Sequence, residues 1–564
     1  MSSQTPELPP LLADLGLNAT AHSLTVLQNR LYSSDSDSVS RTVAVAGDSA
    51  ASAKRAANSL SVRSAAMVPG LGLPVKVTRE LAGLADEYLR RVVTPLSKIA
   101  PDMTPRELRD GDRIATAPLA ENSDELVRIA ASSRSIESRA VALPSVWVGA
   151  VDRGRKDFVD ALRKASLRLD GLAVAAQLLP SMIGSKSARF YFVGVQTPSE
   201  SRATGGLLGG YSVVKASDGE LRMVSQGENA DFISPGRPQV DLGPEFNRLY
   251  EWTHPYTDNR NSNISPDFRD AARIWLANWQ AQHGQKLDGA VALDPIALQY
   301  VMEVTGPVRM RNGRVVTAKQ VAPLLLSQVY IDFRRDNDAR KDFLQDFMSD
   351  AVSSMLSFKG DTGKLLEALG RGVAENRIML YSAHPEEQTV IEETKLGHHI
   401  PGRPMPYMNV TVGNVAGNKI DYYLKRDISY HSGSCSRSVR RSTASIRLRN
   451  EVPDKNLPPY VVGSLGAPRA GILNRANAAS VQFVLTQGAT VQRVRVGNDD
   501  VPYFGGQLSG HPVTGTQVIV PANEERTVTV DFDEPTSAKG EALVPIQPLV
   551  DDPMVTVSVP ACGK

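Results

Sequence analysis

Phe190-Tyr-Phe-Val-Gly-Val-Gln-Thr-Pro-Ser-Glu-Ser-Arg-Ala-Thr-Gly-Gly-Leu-Leu-Gly-Gly-Tyr211 is the stretch on which the fold reading turns. An apolar strand runs into a polar turn holding Glu200, Ser201 and Arg202. Two glycine pairs follow, and an apolar strand resumes at Tyr211-Ser-Val-Val214. Glycine pairs permit backbone conformations and close approaches denied to other residues. An arginine beside exposed amides can receive phosphate or carboxylate oxygens. A plain hairpin with a glycine-rich turn is the competing reading.

Outward from this stretch, residues 186–400 alternate strand and helix. Strands are expected at 189–195, 211–216, 221–225 and 289–293, and helices near 267–283, 295–303, 317–330 and 338–357. Such alternation predicts an α/β layered domain. Asp294-Pro295 ends the 289–293 strand, with Pro295 suited to the first helical position. Residues 1–185 read as a helical stalk or bundle, with Leu81, Leu84, Ala85, Tyr88, Leu89 and Val92 on one helical face. Ser38 to Met67 is helical in pattern but weakly hydrophobic, and Pro69 to Gly72 and Pro101 to Pro105 punctuate the region. Residues 401–564 change to period two: Ala444, Ile446 and Leu448 alternate with Ser445, Arg447 and Arg449, and 528–530 and 555–559 repeat the habit. This predicts an all-β sandwich. The chain therefore reads as multidomain: helical, then α/β, then β-sandwich.

Composition narrows the functional classes. At 564 residues several domains are expected. Lys plus Arg number 63 against 61 Asp plus Glu, a net charge of +2, and aromatics make up 6%. That balance argues against a protein built to grip nucleic acid. No run approaches the roughly 18 apolar residues of a membrane span, and residues 1–20 lack a signal peptide's pattern. Cys435 and Cys562 both fall in the β region, and a disulfide between them is expected, placing that region outside the cytosol.

Two further clusters carry polar chemistry. In Asn259-Arg-Asn-Ser-Asn-Ile-Ser-Pro-Asp-Phe-Arg269, Ser265 reads as a helix N-cap and Asp267 as a first-turn acid. Asn261 and Asn263 offer neutral hydrogen bonds to a ligand. In Tyr330-Ile-Asp-Phe-Arg-Arg-Asp-Asn-Asp-Ala-Arg340, Tyr330, Arg334, Asp338 and Arg340 sit between two apolar helical stretches, poised for a phosphate, with aspartate able to orient arginine or hold a divalent cation. The phosphate-loop, His-Glu-x-x-His and Gly-x-Ser-x-Gly patterns are absent, and His398-His399 reads as linker.

With these clusters in view, the chain resembles the actinobacterial family called domain of unknown function 4012. Gln196 to Gly206, Leu287 to Pro295, Val304 to Val308, Tyr330 to Arg340, Gly417 to Leu424 and Asn450 to Pro453 carry the likeness. The resemblance implies a cell-surface protein whose membrane-spanning N-terminal anchor is absent from this chain. The middle domain more distantly resembles the LytR–CpsA–Psr phosphotransferases, which move glycopolymers from polyprenyl pyrophosphate carriers. By that likeness Glu200-Ser201-Arg202 stands for an Asp-Ser-Arg turn, and Thr305 to Val308 for a later turn. Phe343-Leu344 replaces that family's Arg-Gln pair, and Gly227 to Asp231 lacks its arginine.

Three functions follow as expectations. The first is glycopolymer transfer, with Glu200, Arg202 and Asp338 catalytic, Mg²⁺ as cofactor, and Gly205, Gly206, Tyr330, Arg334 and Arg340 holding the pyrophosphate. The second is a non-catalytic module binding envelope glycan or a partner. The third is a glycoside hydrolase using two of Glu200, Asp231, Asp267 and Asp288. All three place the site between the 200–206 turn and the 330–340 loop.

Overall fold

The computed structural model describes residue 55 and residues 72–562, less 104–106, 111–112, 233, 357, 359, 361, 437 and 465–474. The helical expectation for Ser38 to Met67 lies outside the described residues. The described residues fall into two compact units, those up to 188 with 216–220, and those of 189–215 with those from 221 onward.

In the first unit, α1 (Gly72–Tyr88), α2 (Ala117–Val141) and α3 (Gly149–Met182) share one core. The predicted face is the buried one: Leu81, Leu84, Ala85, Tyr88, Leu89 and Val92 all lie in the core that also holds Leu126 and Ile129 of α2 and Phe158 and Leu162 of α3. Ser133 and Ser166 meet at 2.8 Å between α2 and α3, so the polar pair buried there is satisfied. Beyond Tyr88 the helix widens into a π turn, Leu89–Val93, just before Pro95. Proline has no N–H to give the preceding turn, and its ring crowds the carbonyl four residues back.

The second unit begins with a five-stranded sheet. Its strands are β1 (Arg189–Arg202), β2 (Gly205–Ser217), β3 (Glu220–Glu228), β4 (Gly289–Leu293) and β5 (Ile378–Ser382), in the order β3-β2-β1-β4-β5. β4 runs parallel to β1, with Tyr191 opposite Gly289 and Val195 opposite Leu293, and antiparallel to β5. The crossover between the parallel strands carries α4 (Phe268–His283), whose Phe268, Ala272, Trp275 and Trp279 cover Phe192, Leu208 and Ala290 of the sheet. α5 (Pro295–Thr305) starts as expected, with Asp294 capping and Pro295 in the first turn. α6 (Asn337–Leu356) and α7 (Thr362–Ala374) follow. The expected helix at 317–330 is real but broken by a π turn at Leu324–Gln328, next to Pro323.

Three readings need correction. The stretch from Gln196 to Arg202 is strand, not turn; β1 runs through it, and only Ala203 and Thr204 turn. The next strand begins at Gly205, not Tyr211. The N-cap of α4 is Asp267, which accepts from Arg269 N at 3.1 Å; Ser265 instead donates to Asp270 at 2.6 Å.

From Met408 onward the chain builds two facing sheets. The strands are β6 (Met408–Asn414), β7 (Leu424–Ser432), β8 (Val439–Asn450), β9 (Asn477–Leu485), β10 (Thr490–Val496), β11 (Asp499–Asp500), β12 (Phe504–Leu508), β13 (His511–Val520), β14 (Glu525–Pro535) and β15 (Met554–Ser558). One sheet has the order β6-β9-β13-β12, the other β11-β10-β14-β8-β7-β15. Val410, Phe483 and Val520 from the first meet Ile428, Ile446 and Val530 from the second in one core. Ala444, Ile446 and Leu448 point inward as their alternation predicts. Cys435 and Cys562 are bonded, with Cα atoms 5.6 Å apart.

Candidate functional site

The carboxyl end of β1 abuts the segment that follows β6, and the polar residues of both are buried there. Glu200 and Arg202 are 6% and 7% exposed, and Lys419 is 3%. The Glu200 carboxylate accepts from Lys419 Nζ on one oxygen and from Arg202 at 3.2 Å on the other. Burial alone would raise its pKa, but the two cations outweigh it and hold the carboxyl below its ordinary value. The same pairing holds Lys419 above the usual lysine range against the burial that would lower it.

Arg202 spends its remaining donors on backbone. Its Nε donates to the Arg260 carbonyl at 2.9 Å, and Nη1 to the Ser201 and Asn414 carbonyls at 2.8 and 3.5 Å. Between these two residues, Ser201 donates from both N–H and hydroxyl to Asp421, at 2.8 and 2.7 Å. Asp421 also accepts from Asn414 and Asn477; burial still leaves its pKa raised despite these bonds. Gln547 completes the seam, donating to the Arg202 and Val412 carbonyls at 2.7 and 2.8 Å.

The 330–340 segment does join this cluster, in part. Tyr330 stacks on Tyr460 with ring centroids 5.5 Å apart. Arg340 lies 5.0 and 4.3 Å from the two ring centroids, and Lys419 lies 5.7 and 5.8 Å from them. Cations set against aromatic faces gain roughly 0.5–2 kcal/mol each. Arg334 and Asp338 do not join; both are exposed on the loop and the start of α6.

The other predicted residues hold the fold. Gly205 has φ +132°, and a Cβ on Gly206 would sit 2.1 Å from the Thr197 backbone, so the first glycine pair lets β2 close on β1. Asn263 is buried and donates to the Thr204 hydroxyl and the Gly206 carbonyl, at 3.0 and 2.7 Å. Asn261 donates to the Thr253 carbonyl at 2.8 Å. Asp267 caps α4, pairs with Arg269 at 2.6 Å and accepts from Ile400 N. Asp288 binds Phe190 N, Arg189 and His384, and Asp231 accepts from Glu228 N. The four carboxylates considered for glycoside hydrolysis thus stand in four separate hydrogen-bond networks. His398 is not linker but buried, in the left-handed region at φ +37°.

Lys419, Asp421, Tyr460 and Gln547 are the members that reasoning on isolated clusters missed. Lys419 and Asp421 lie within the Gly417–Leu424 motif, so that motif was their one available signal. The donor set does not fit Mg²⁺: two cations already hold the Glu200 oxygens, and among the described residues no group of three or more His, Cys, Asp or Glu is placed to hold a metal ion.

Residues 186–330 match the family described as a protein of unknown function (DUF4012). The DUF4012 segment contains Glu200, Arg202, Asn263, Asp267 and Tyr330, while Lys419, Arg340, Tyr460 and Gln547 lie beyond it. Its buried polar end is therefore completed by residues outside the matched stretch. No curated protein matches the chain.

Proposed function

We propose that this is an extracytoplasmic module that binds envelope glycan and performs no chemistry at Glu200 and Arg202. The observation that carries this reading is the occupancy of those two groups. Both Glu200 oxygens accept from cations, and the Arg202 guanidinium is spread over one carboxylate and three carbonyls. A catalytic pair needs a free lone pair or donor aimed at the reacting atoms. Here the pair fastens the five-stranded sheet to the β-sandwich. The Cys435–Cys562 bond supports a location outside the cytosol.

A second reading keeps one observation of its own. Lys419 and Arg202 pair with Glu200, and Arg340 lies with Lys419 against the Tyr330 and Tyr460 rings; three cations gathered in this region suit a pyrophosphate-bearing carrier. The two readings part on Arg202→Ala. On the binding reading, a polyprenyl-pyrophosphate-linked glycan with Mg²⁺ gives no transfer with the wild-type chain, and the variant loses thermal stability. Transfer by the wild type, abolished in Arg202→Ala at unchanged melting temperature, would overturn the binding reading.

A further inference from the structure

Among the described residues, the two sandwich sheets end in the edge strands β6, β12, β11 and β15. Three of these edges are closed or blunted. β6 is covered by the segment 543–547: Tyr407 and Val410 bridge to Leu543 and Ile546, and Val412 N donates to the Gln547 side chain at 2.9 Å. β12 lies against the short helix Pro244–Tyr250, where a Cβ on Gly506 would sit 2.7 Å from Leu249. β11 is only Asp499 and Asp500, the second paired with Arg493. Covering, shortness and charge are the usual protections of an edge.

β15 has none of them. It pairs in parallel with β7, from Met554 opposite Asp427 to Ser558 opposite His431, and among the described residues no strand lies on its other side. Met554, Val555, Thr556, Val557 and Ser558 carry no charge. All five are exposed, Met554 at 63%, Val555 at 38% and Val557 at 44%. The strand is nonetheless fixed at both ends: Asp551 pairs with buried Arg426 at 2.8 Å, and Cys562 is bonded to Cys435. An edge so held loses little freedom when a further strand adds to it. The segment leading into it, Asp551 to Pro553, also walls a cavity of about 1100 Å³ together with Asn409 and Arg377. Glu393, Asp552, Lys395 and Arg403 put both signs of charge on that lining, which favours no single class of ligand.

The edge is complementary to itself. Paired antiparallel about Thr556, two copies set Val555 opposite Val557 twice, Thr556 opposite Thr556, and Met554 opposite Ser558. β-Branched and Thr–Thr pairs are favourable cross-strand partners, and no like charges meet. The antiparallel sense also carries Asp551 and Asp552 of the two copies to opposite ends of the pair, where a parallel sense would set them side by side. Such a contact is two-fold symmetric and closes on itself.

We propose that β15 is a self-association edge, through which two copies of this chain pair antiparallel about Thr556. The inference is independent of the glycan-binding reading.

Five residues a side is well short of the roughly 20–30 of a standard interface, so the association is weak and is read at high concentration. The test is sedimentation equilibrium of the whole chain from about 1 to about 500 μM, with a reversible dimer of Kd near 100 μM or tighter expected. Thr556→Lys, at an exposed position, sets two ammonium groups opposite each other and should weaken the dimer tenfold or more at unchanged melting temperature. Cysteine variants read the register, since the two native cysteines are already bonded to each other. Under mild oxidation Thr556→Cys should give a covalent dimer. Met554→Cys alone should not, whereas Met554→Cys mixed with Ser558→Cys should. A dimer that Thr556→Lys leaves intact and Thr556→Cys does not cross-link would overturn the β15 site. A monomer at every concentration overturns the proposal outright and leaves the edge to a strand of another protein.

Discussion

The seam around Glu200 and the cavity around Asn409 are both buried and polar, yet they are built in opposite ways. In the seam, acids and bases are pressed together until the Glu200 carboxylate and the Arg202 guanidinium are used up by protein groups. In the cavity, ion pairs such as Arg377 with Asp294 and Glu375 stand beside an open volume of about 1100 Å³. A buried charge is costly unless paired, so a fully paired cluster works as a fastener. The lesson is that a high density of charged residues can mark where the protein is held together.

The largest effect expected is at the seam. Glu200→Ala leaves Lys419 buried without its partner and should cost about 3–5 kcal/mol in urea unfolding. A loss below 1 kcal/mol would erase the contrast, because the cluster would then not be a fastener. Next is the covalent tie of the sandwich. The bond closes a loop of sequence separation 127. Its removal in Cys435→Ser with Cys562→Ser should cost about 2–4 kcal/mol, read by the same unfolding curves. Arg440, which donates to the Pro560 carbonyl at 2.6 Å, should keep the C-terminal end partly in place.

Acid–base behaviour sharpens the comparison further. The pKa of Glu200 is lowered in the fold, so its contribution is present above the ordinary carboxylate value of 4.5 and is lost as pH falls below it. Asp270 on α4 behaves oppositely. Burial first, and then the nearby Asp267, raise it from 3.8 to about 7. A carboxyl raised on folding stabilises the fold at low pH, and that stability drains away as pH rises from about 4 to about 7. Asp270→Asn should therefore flatten the melting-temperature profile between pH 4 and 7 and gain most above pH 7. A parallel shift at every pH would refute the assignment. The smallest effect is that of Asn409→Leu on stability, expected at about 1 kcal/mol, because a single long hydrogen bond, from Nδ2 to the Tyr407 hydroxyl at 3.3 Å, is lost. A much larger loss would mean that the amide belongs to the fastening set after all.

Much of the architecture was legible in advance. Period-two alternation at Ala444, Ile446 and Leu448, the 3.6-residue spacing of Leu81, Leu84, Ala85 and Tyr88, and Pro295 at the start of α5 are local patterns, and local backbone preference together with burial of one face enforces them. Of the residues expected at the site, Glu200 and Arg202 pair with each other, Lys419 pairs with Glu200, and Tyr330 and Arg340 pack beside Lys419 and Tyr460. Their burial was not legible, because polarity in sequence does not say whether a side chain faces solvent. Gln196 to Arg202 has the composition of a turn but lies in β1, where partners from as far as Asp421 and Gln547 satisfy what would otherwise be unpaired buried groups.

By itself, then, the sequence determined the order of most strands and helices, which faces are apolar and which cysteines can meet, but not the bounds of β1 and β2. Only the tertiary structure decided which polar groups are consumed and which are left over. Hydrogen bonding is settled by pairs separated by more than two hundred positions, such as Lys419 with Glu200, and no local pattern encodes them.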